Sequence, residues 1–240
     1  MQTGFPEPGH GPGKTTDPMP DTFDAVLLDM DGTLVDSEAV ITRTWAVWAA
    51  KYGLDLTVVL RYAAGKRDSA AMAELAPHLS PEQVEADSAD MALAELSDFE
   101  GVIATTGAEQ LLRGVQASRG PWAIVTSAPR ELAIARLRVC ALPCPEVLVT
   151  NEDVECGKPS PEGYLLAARL LNVKPELCVV VEDAHAGIQA AHSAGMTVIG
   201  TGRGARDDEA AHCWVADLTG LTVVPVGTSR RPRSVRLLFS

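Results

Sequence analysis

Basic charge, aromatic rings and long apolar runs are all scarce in this sequence. Lys and Arg number 20 against 32 Asp and Glu, a formal net charge of -12. An acidic surface argues against a general nucleic-acid or anionic-membrane binder, because both need a cationic face. Small anionic substrates stay open, since Lys, Arg and a divalent cation can reverse the field inside one cleft. Phe, Trp and Tyr make up only 5% of the 240 residues, so a core must come mainly from Ala, Leu and Val. No stretch approaches the roughly 20 apolar residues of a membrane-spanning helix. The first residues lack the charged and apolar regions of a secretory signal. The five cysteines are odd in number and include no C-x-x-C pair. That usage fits reduced thiols in a cytoplasmic protein better than a disulfide framework.

What is present is an alternating pattern. Residues 1–22, rich in Gly, Pro and Thr, read as a disordered extension. Their GPGKTT resembles a phosphate-binding loop only superficially, with no apolar strand before it and no helix-forming run after it. FDAVLLDM, from Phe23, has the length of a strand. A helix follows, with Ile41, Trp45, Trp48, Ala49 and Tyr52 at helical spacing and Gly53 placed to stop it. The two tryptophans read as helix packing. Residues 55–99 read as further helices, with Glu82, Glu85, Asp87 and Asp90 as a solvated face. From residue 107 amphipathic helices alternate with the apolar runs WAIVT, EVLVT, CVVVED and TVIGTG. Apolar strands alternating with helices predict an α/β fold, a Rossmann-like parallel sheet with helices on both faces. Residues 23–36 and 107–225 then form the core, and 37–106 an all-helical insert. Residues 226–240, with Arg230, Arg231, Arg233 and Arg236, read as a basic, solvated tail.

The polar residues fall at the ends of the strands. Asp29 and Asp31 follow the first, Thr126 and Ser127 the second, and Glu182 and Asp183 end CVVVED, while Lys158 precedes a helix. If the strands are parallel, all gather at one edge of the sheet, where open α/β sheets bind ligands. Two like charges beside a buried strand repel and resist desolvation. A divalent cation resolves this: Asp29 and Asp183 offer the hard oxygen ligands that suit Mg²⁺. Lys158 and a hydroxyl from Thr126 or Ser127 complete a set able to stabilise a phosphoryl transition state. One aspartate can then attack phosphorus, and the other can act as acid and base. Gly32 lets the chain turn sharply beside them.

The segments DMDGTLVDSE, VTSA, GKPSPEGYLLAA and VVVEDAHAGIQAAHSAGM resemble, in order, the four motifs of the haloacid dehalogenase superfamily. They match the subgroup with a helical cap inserted after the first strand, and in texture its sugar-phosphate and polyol-phosphate phosphatases. The resemblance implies that Asp29 is the phosphorylated nucleophile. It makes Asp31 the general acid and base, with a backbone carbonyl for Mg²⁺. Thr126, or in its place Ser127, is the implied phosphate ligand, and Lys158 the motif lysine. Asp183 is implied as a direct metal ligand, and Glu182 as a ligand or as a partner acting through water. In the cap, Gly65, Lys66 and Arg67 fall where relatives carry a substrate-contacting loop, although a solvated basic turn fits them equally. At Thr105-Thr106-Gly107 relatives carry a proline before the glycine, at the cap hinge.

The expected activity is Mg²⁺-dependent hydrolysis of a small phosphorylated sugar or polyol through an aspartyl phosphate. A phosphosugar mutase shares all four motifs. A phospho-acceptor signalling domain uses similar groups, but it would lack the insert and would place its acceptor on a middle strand. Bland readings cover the rest. Ser37 would cap a helix, Asp36 would stand at its start, and Glu152 and Asp153 would form a turn. His185 and His192 would be ordinary helix residues, and Glu162 a first-turn acid.

Overall fold

The fold is taken from a computed structural model that describes residues 19–226 and 234–239. GPGKTT and Arg230, Arg231 and Arg233 lie outside those residues. Strands β1 (Thr22–Phe23), β2 (Ala25–Leu28) and β3 (Val35–Asp36) come first. Helices α1 (Glu38–Tyr52), α2 (Leu56–Ala63), α3 (Asp68–Leu75) and α4 (Pro81–Ser97) follow, then β4 (Ile103–Ala104). A regular alternation comes next: α5 (Ala108–Ser118), β5 (Trp122–Val125), α6 (Arg130–Val139), β6 (Val147–Val149), α7 (Glu162–Leu170), β7 (Cys178–Glu182), α8 (His185–Ser193) and β8 (Thr197–Thr201). Strands β9 (Cys213–Val215), β10 (Leu221–Pro225) and β11 (Val235–Phe239) close the described chain.

The main sheet is parallel, in the order β6-β5-β2-β7-β8-β9. Its central strands are buried and largely apolar because both faces are covered. Val26, Leu28, Ile124, Val179 and Val181 pack on one face against Leu111, Leu112 and Val115 of α5. Their neighbours Ala25, Leu27, Ala123, Val125 and Val180 pack on the other face against Tyr164 and Ala167 of α7 and Ile188 of α8. This is the period of two expected of a pleated strand. The chain runs from β2 outward to β5 and β6, then returns past β2 to β7 and β8. The strand order therefore reverses at β2, and a crevice opens at its carboxyl end.

Helices α1 to α4 form a separate core in which Trp45, Trp48, Val59, Met72, Val84 and Met91 are buried. Trp45 and Trp48 stack edge to face with centroids 5.3 Å apart, so they are packing residues. Ser80 and Gln83 form a capping box at the start of α4. One correction concerns Asp87, which is buried rather than solvated. It accepts hydrogen bonds from Trp48 Nε1 (3.0 Å), Lys51 Nζ (2.6 Å) and Tyr52 Oη (2.7 Å). Its position on α4 faces α1, and three donors offset its desolvation. The helical unit joins the sheet through β3 and β4, paired antiparallel as Val35 with Ala104 and Asp36 with Ile103. Thr105 Oγ1 donates to the Thr33 carbonyl (2.6 Å), so the Thr105-Thr106-Gly107 segment is tied to the loop that carries Asp31.

Both ends of the chain also depart from expectation. Strand β11 is not a solvated tail: it pairs with β10 and β1 in a second, antiparallel sheet. Val235 and Leu237 point inward, and Arg236 between them reaches Asp21 at 3.1 Å. Four arginines mask this short alternation in the sequence. Thr22, assigned to the disordered extension, pairs with Arg236.

Candidate active site

The aspartates sit where the sheet's geometry sends them. Asp29 follows β2 and is nearly buried, with its amide donating to the Val181 carbonyl (3.0 Å). Gly32 follows with φ +84, and a Cβ there would lie 2.0 Å from Asp183 Oδ2. Only glycine lets the first loop come this close to the end of β7. Thr33 Oγ1 then donates to Asp183 Oδ1 (3.1 Å) and holds that carboxylate.

Lys158 is buried and donates to both Asp29 Oδ1 and Glu182 Oε1. Glu182 is completely buried. Its Oε1 takes Lys158 Nζ (2.5 Å) and Tyr164 Oη (3.0 Å), and its Oε2 takes the amides of Asp183 (3.0 Å) and Ala184 (3.1 Å). Four donors fill both oxygens. Of the two expected roles of Glu182, ligand or partner acting through water, these hydrogen bonds favour the second, and they aim the lysine. Gly187 of α8 packs against it, where a Cβ would lie 1.5 Å from Oε1.

Asp29, Glu182 and Asp183 each offer an oxygen within 4.8 Å of the others. Burial, reinforced by Glu182 and Asp183, pushes Asp29 well above the usual carboxylate range against the pull of Lys158. Burial and Glu182 push Asp183 up to about 7. Burial would lower Lys158, but Asp29 and Glu182 outweigh it and keep the ammonium charged. Three carboxylates thus face one ammonium. A divalent cation fits this donor set, since it balances the excess negative charge with hard oxygen ligands. Asp29 and Asp183 are the groups that would hold it.

The Asp31 carboxylate lies outside that cluster. Its Oδ1 accepts from Ser37 Oγ (2.7 Å) and Arg136 Nη1 (2.8 Å). Ser37 makes no side-chain cap on α1, contrary to expectation, because its hydroxyl is spent on Asp31. Asp36 does stand at the helix start and accepts from the Glu38 amide (3.2 Å).

The expected phosphate ligands separate. Thr126 is buried at the end of β5, beside the cluster, and accepts from the Ala128 amide (3.1 Å). Ser127 Oγ instead donates to the Gly65 carbonyl of the helical unit (2.9 Å), so it links the two layers. Arg67 is committed too: its guanidinium donates to the carbonyls of Asn151 (2.6 Å), Val154 (2.7 Å) and Glu155 (3.1 Å). It clasps the helical unit to the loop before Lys158 and is not a solvated turn. Lys66 packs over the Tyr62 ring at 3.5 Å and borders the cleft. Glu162 accepts the amides of Glu155 and Cys156 (2.8 Å each) and so shapes the lysine loop.

Between the helical unit and the sheet lies a cleft of about 960 Å³. Asp29, Asp31 and Asp183 line its floor, and Lys66, Asp68 and Glu95 line its roof. Three polar residues here escape sequence reasoning: Arg136, Glu95 and Asp68. Arg136 is 2% exposed. The available signal was its place in the apolar stripe Leu132, Ala133, Arg136, Leu137 of α6. Burial, with the Glu95 charge, pushes Asp68 up to about 7 despite nearby Arg136.

A family model described as haloacid dehalogenase-like hydrolase matches residues 23–195. The chain is 42% identical over 173 residues to hexitol phosphatase A of Escherichia coli, covering 72% of this chain and 80% of that protein. It is 38% identical over 181 residues to validoxylamine A 7'-phosphate phosphatase of Streptomyces hygroscopicus, covering 74% and 85%. Its fold matches a crystal structure of β-phosphoglucomutase from Clostridium difficile with a TM-score of 0.74 at 23% identity, covering 82% and 92%.

Proposed function

We propose that this chain, which belongs to the haloacid dehalogenase-like hydrolase family, is a Mg²⁺-dependent phosphatase of small phosphorylated polyols or sugars. The observation that carries this reading is the buried Asp29–Lys158–Glu182–Asp183 cluster, with Asp31 beside it, on the floor of a polar cleft. The hexitol phosphatase and the validoxylamine phosphate phosphatase support a polyol-like substrate. The mutase shares 23% identity and speaks to the fold alone.

In the proposed mechanism an Asp29 carboxylate oxygen attacks phosphorus. The bond from phosphorus to the substrate oxygen breaks, and Asp31 gives that oxygen a proton. Asp31 then takes a proton from water as the water oxygen attacks the aspartyl phosphate. The bond between phosphorus and Asp29 breaks, and inorganic phosphate leaves. Lys158, aimed by Glu182, and the Thr126 hydroxyl neutralise charge on the phosphoryl oxygens. Bound Mg²⁺ would offset the repulsion between the Asp29 and Asp183 carboxylates and the phosphate. The helical unit, residues 37–106, acts as the cap: it excludes water and carries the groups that meet the substrate's hydroxyls. The five free thiols support a reducing compartment such as the cytoplasm.

The test is phosphate release from a panel of hexitol phosphates, glycerol 1-phosphate, 2-deoxyglucose 6-phosphate and glucose 1-phosphate, with Mg²⁺ and with EDTA. Release is expected with Mg²⁺ and not with EDTA, and Asp29→Asn should abolish it. Activity of Asp29→Asn equal to wild type would overturn the mechanism. Isomerisation of glucose 1-phosphate with little free phosphate would favour a mutase.

A further inference from the structure

Arg136 is the most deeply buried arginine beside the cleft, and it has two carboxylate partners from different layers. Its Nη1 donates to Asp31 Oδ1 (2.8 Å), and its Nη2 donates to Glu95 Oε2 (2.8 Å). Arg136 belongs to α6 of the sheet layer, whereas Glu95 belongs to α4 of the helical unit. Glu95 is itself fixed, since its Oε1 accepts from Thr44 Oγ1 of α1 (2.9 Å). Ser37, at the start of α1, donates to the same Asp31 oxygen at 2.7 Å. Asp31 is thus gripped through Oδ1 from both layers at once. Among the described residues no hydrogen bond reaches its Oδ2, and Asp31 lines the cleft. Nη1 and Nη2 each hold a carboxylate and the side chain is 2% exposed, so the guanidinium does not present itself to a substrate phosphate. A planar fork can satisfy two carboxylates in separate directions, which a lysine ammonium does poorly.

We propose that Arg136 is a positioning residue: anchored by Glu95 of the helical unit, it orients Asp31 for proton transfer only while that unit is seated on the sheet. Lifting the unit removes Glu95 from Arg136 and Ser37 from Asp31 together. A buried guanidinium that has lost one partner is no longer held in a single orientation. Proton transfer is therefore tied to a covered substrate, and a water that enters an open cleft does not meet a correctly placed Asp31. This inference rests on the phosphatase reading above, and on the role of Asp31 within it.

The test separates esters that need a proton on departure from one that does not. An alkyl phosphate leaves as an alcohol only with proton donation, whereas p-nitrophenolate leaves without it. With Arg136→Gln, turnover of the fastest alkyl phosphate of the panel should fall about 10²-fold, the scale of a lost general acid, with KM little changed. The same variant should still release one p-nitrophenolate per enzyme in a burst at close to the wild-type rate. A slow steady state should follow, because hydrolysis of the aspartyl phosphate also uses Asp31. Glu95→Gln should show the same selectivity with a smaller loss, and Arg136→Lys a partial recovery. These two milder variants carry the test if Arg136→Gln does not fold. An equal loss in the burst and in alkyl-phosphate turnover overturns the inference, as does unchanged alkyl-phosphate turnover. Wild-type failure on every ester overturns the phosphatase reading and this inference with it. Wild-type activity with uniform losses overturns only the inference.

Discussion

Replacing Glu182 with Gln keeps the shape of the site and removes one buried charge. Glu182 is 0% exposed and receives four donors, of which Lys158 Nζ at 2.5 Å is the charged one. A glutamine can still accept the amides of Asp183 and Ala184 through its carbonyl oxygen. Its NH₂ group must then face the ammonium of Lys158 and the hydroxyl of Tyr164, where the glutamate oxygen accepted both. Removing one partner of a buried pair costs about 3–5 kcal/mol. Asp29 remains beside Lys158 and offsets part of that, so about 3 kcal/mol is expected. Set against a typical domain stability of about 5–15 kcal/mol, such a loss is large and measurable. Urea denaturation with fixed Mg²⁺ reads it as a shift in midpoint at constant slope. The double variant Glu182→Gln with Lys158→Met removes the stranded charge. It should therefore be more stable than Glu182→Gln alone while remaining inactive in phosphate release. Burial, no longer opposed by Lys158, then pushes the Asp29 carboxyl further up. If Glu182→Gln lost less than about 1 kcal/mol, or if adding Lys158→Met destabilised it further, the reasoning about the buried pair would be refuted.

Three further outcomes are expected. Gly32→Ala forces an L side chain into φ +84 and a Cβ to within 2.0 Å of Asp183 Oδ2. It should lower the affinity for divalent cation, read as a weaker Mg²⁺-induced rise in melting temperature, and unchanged Mg²⁺ affinity would count against the close approach. Asp68 has a folded-state pKa raised to about 7 by burial and Glu95, so the folded chain holds its proton more tightly than the unfolded one. Its contribution to stability therefore worsens as pH rises from about 4 toward 7. Asp68→Asn should accordingly stabilise the protein at pH 8 and do so much less at pH 4.5 in urea titrations; a gain independent of pH would contradict that sign. Leu237→Ala, at a position 2% exposed on β11, should cost about 2–5 kcal/mol in thermal or urea unfolding. A loss near zero would mean that the C-terminal strand does not form part of the core.

Much of this protein is set by local pattern. The apolar runs that end at Leu28, Val125, Val149 and Glu182 announced four strands, and amphipathic helices between them required a parallel sheet. Parallel strands place their carboxyl ends on one edge, so Asp29, Thr126, Lys158 and Asp183 were bound to meet. That inference needs only topology, which is why the sequence sufficed for it. The second sheet escaped notice because β11 is five residues long, lies among arginines, and pairs on one side with β1, over 200 residues earlier in the chain. Asp87 and Arg136 escaped for a related reason: a charge on an amphipathic helix reads as solvated unless its partners are known. Those partners, Trp48 and Lys51 for one and Asp31 and Glu95 for the other, lie at least 36 residues away.

The sequence by itself determined which polar residues gather at one edge of the sheet, because strand ends and residue types are local properties. Tertiary structure alone decided how those residues divide the work. It turned Glu182 toward Lys158, and it made Ser127 and Arg67 clasps between layers. It also placed Asp31 in the grip of Arg136. Each of these assignments depends on which donor stands within about 3 Å of which acceptor, and such distances are fixed only when separate elements pack together.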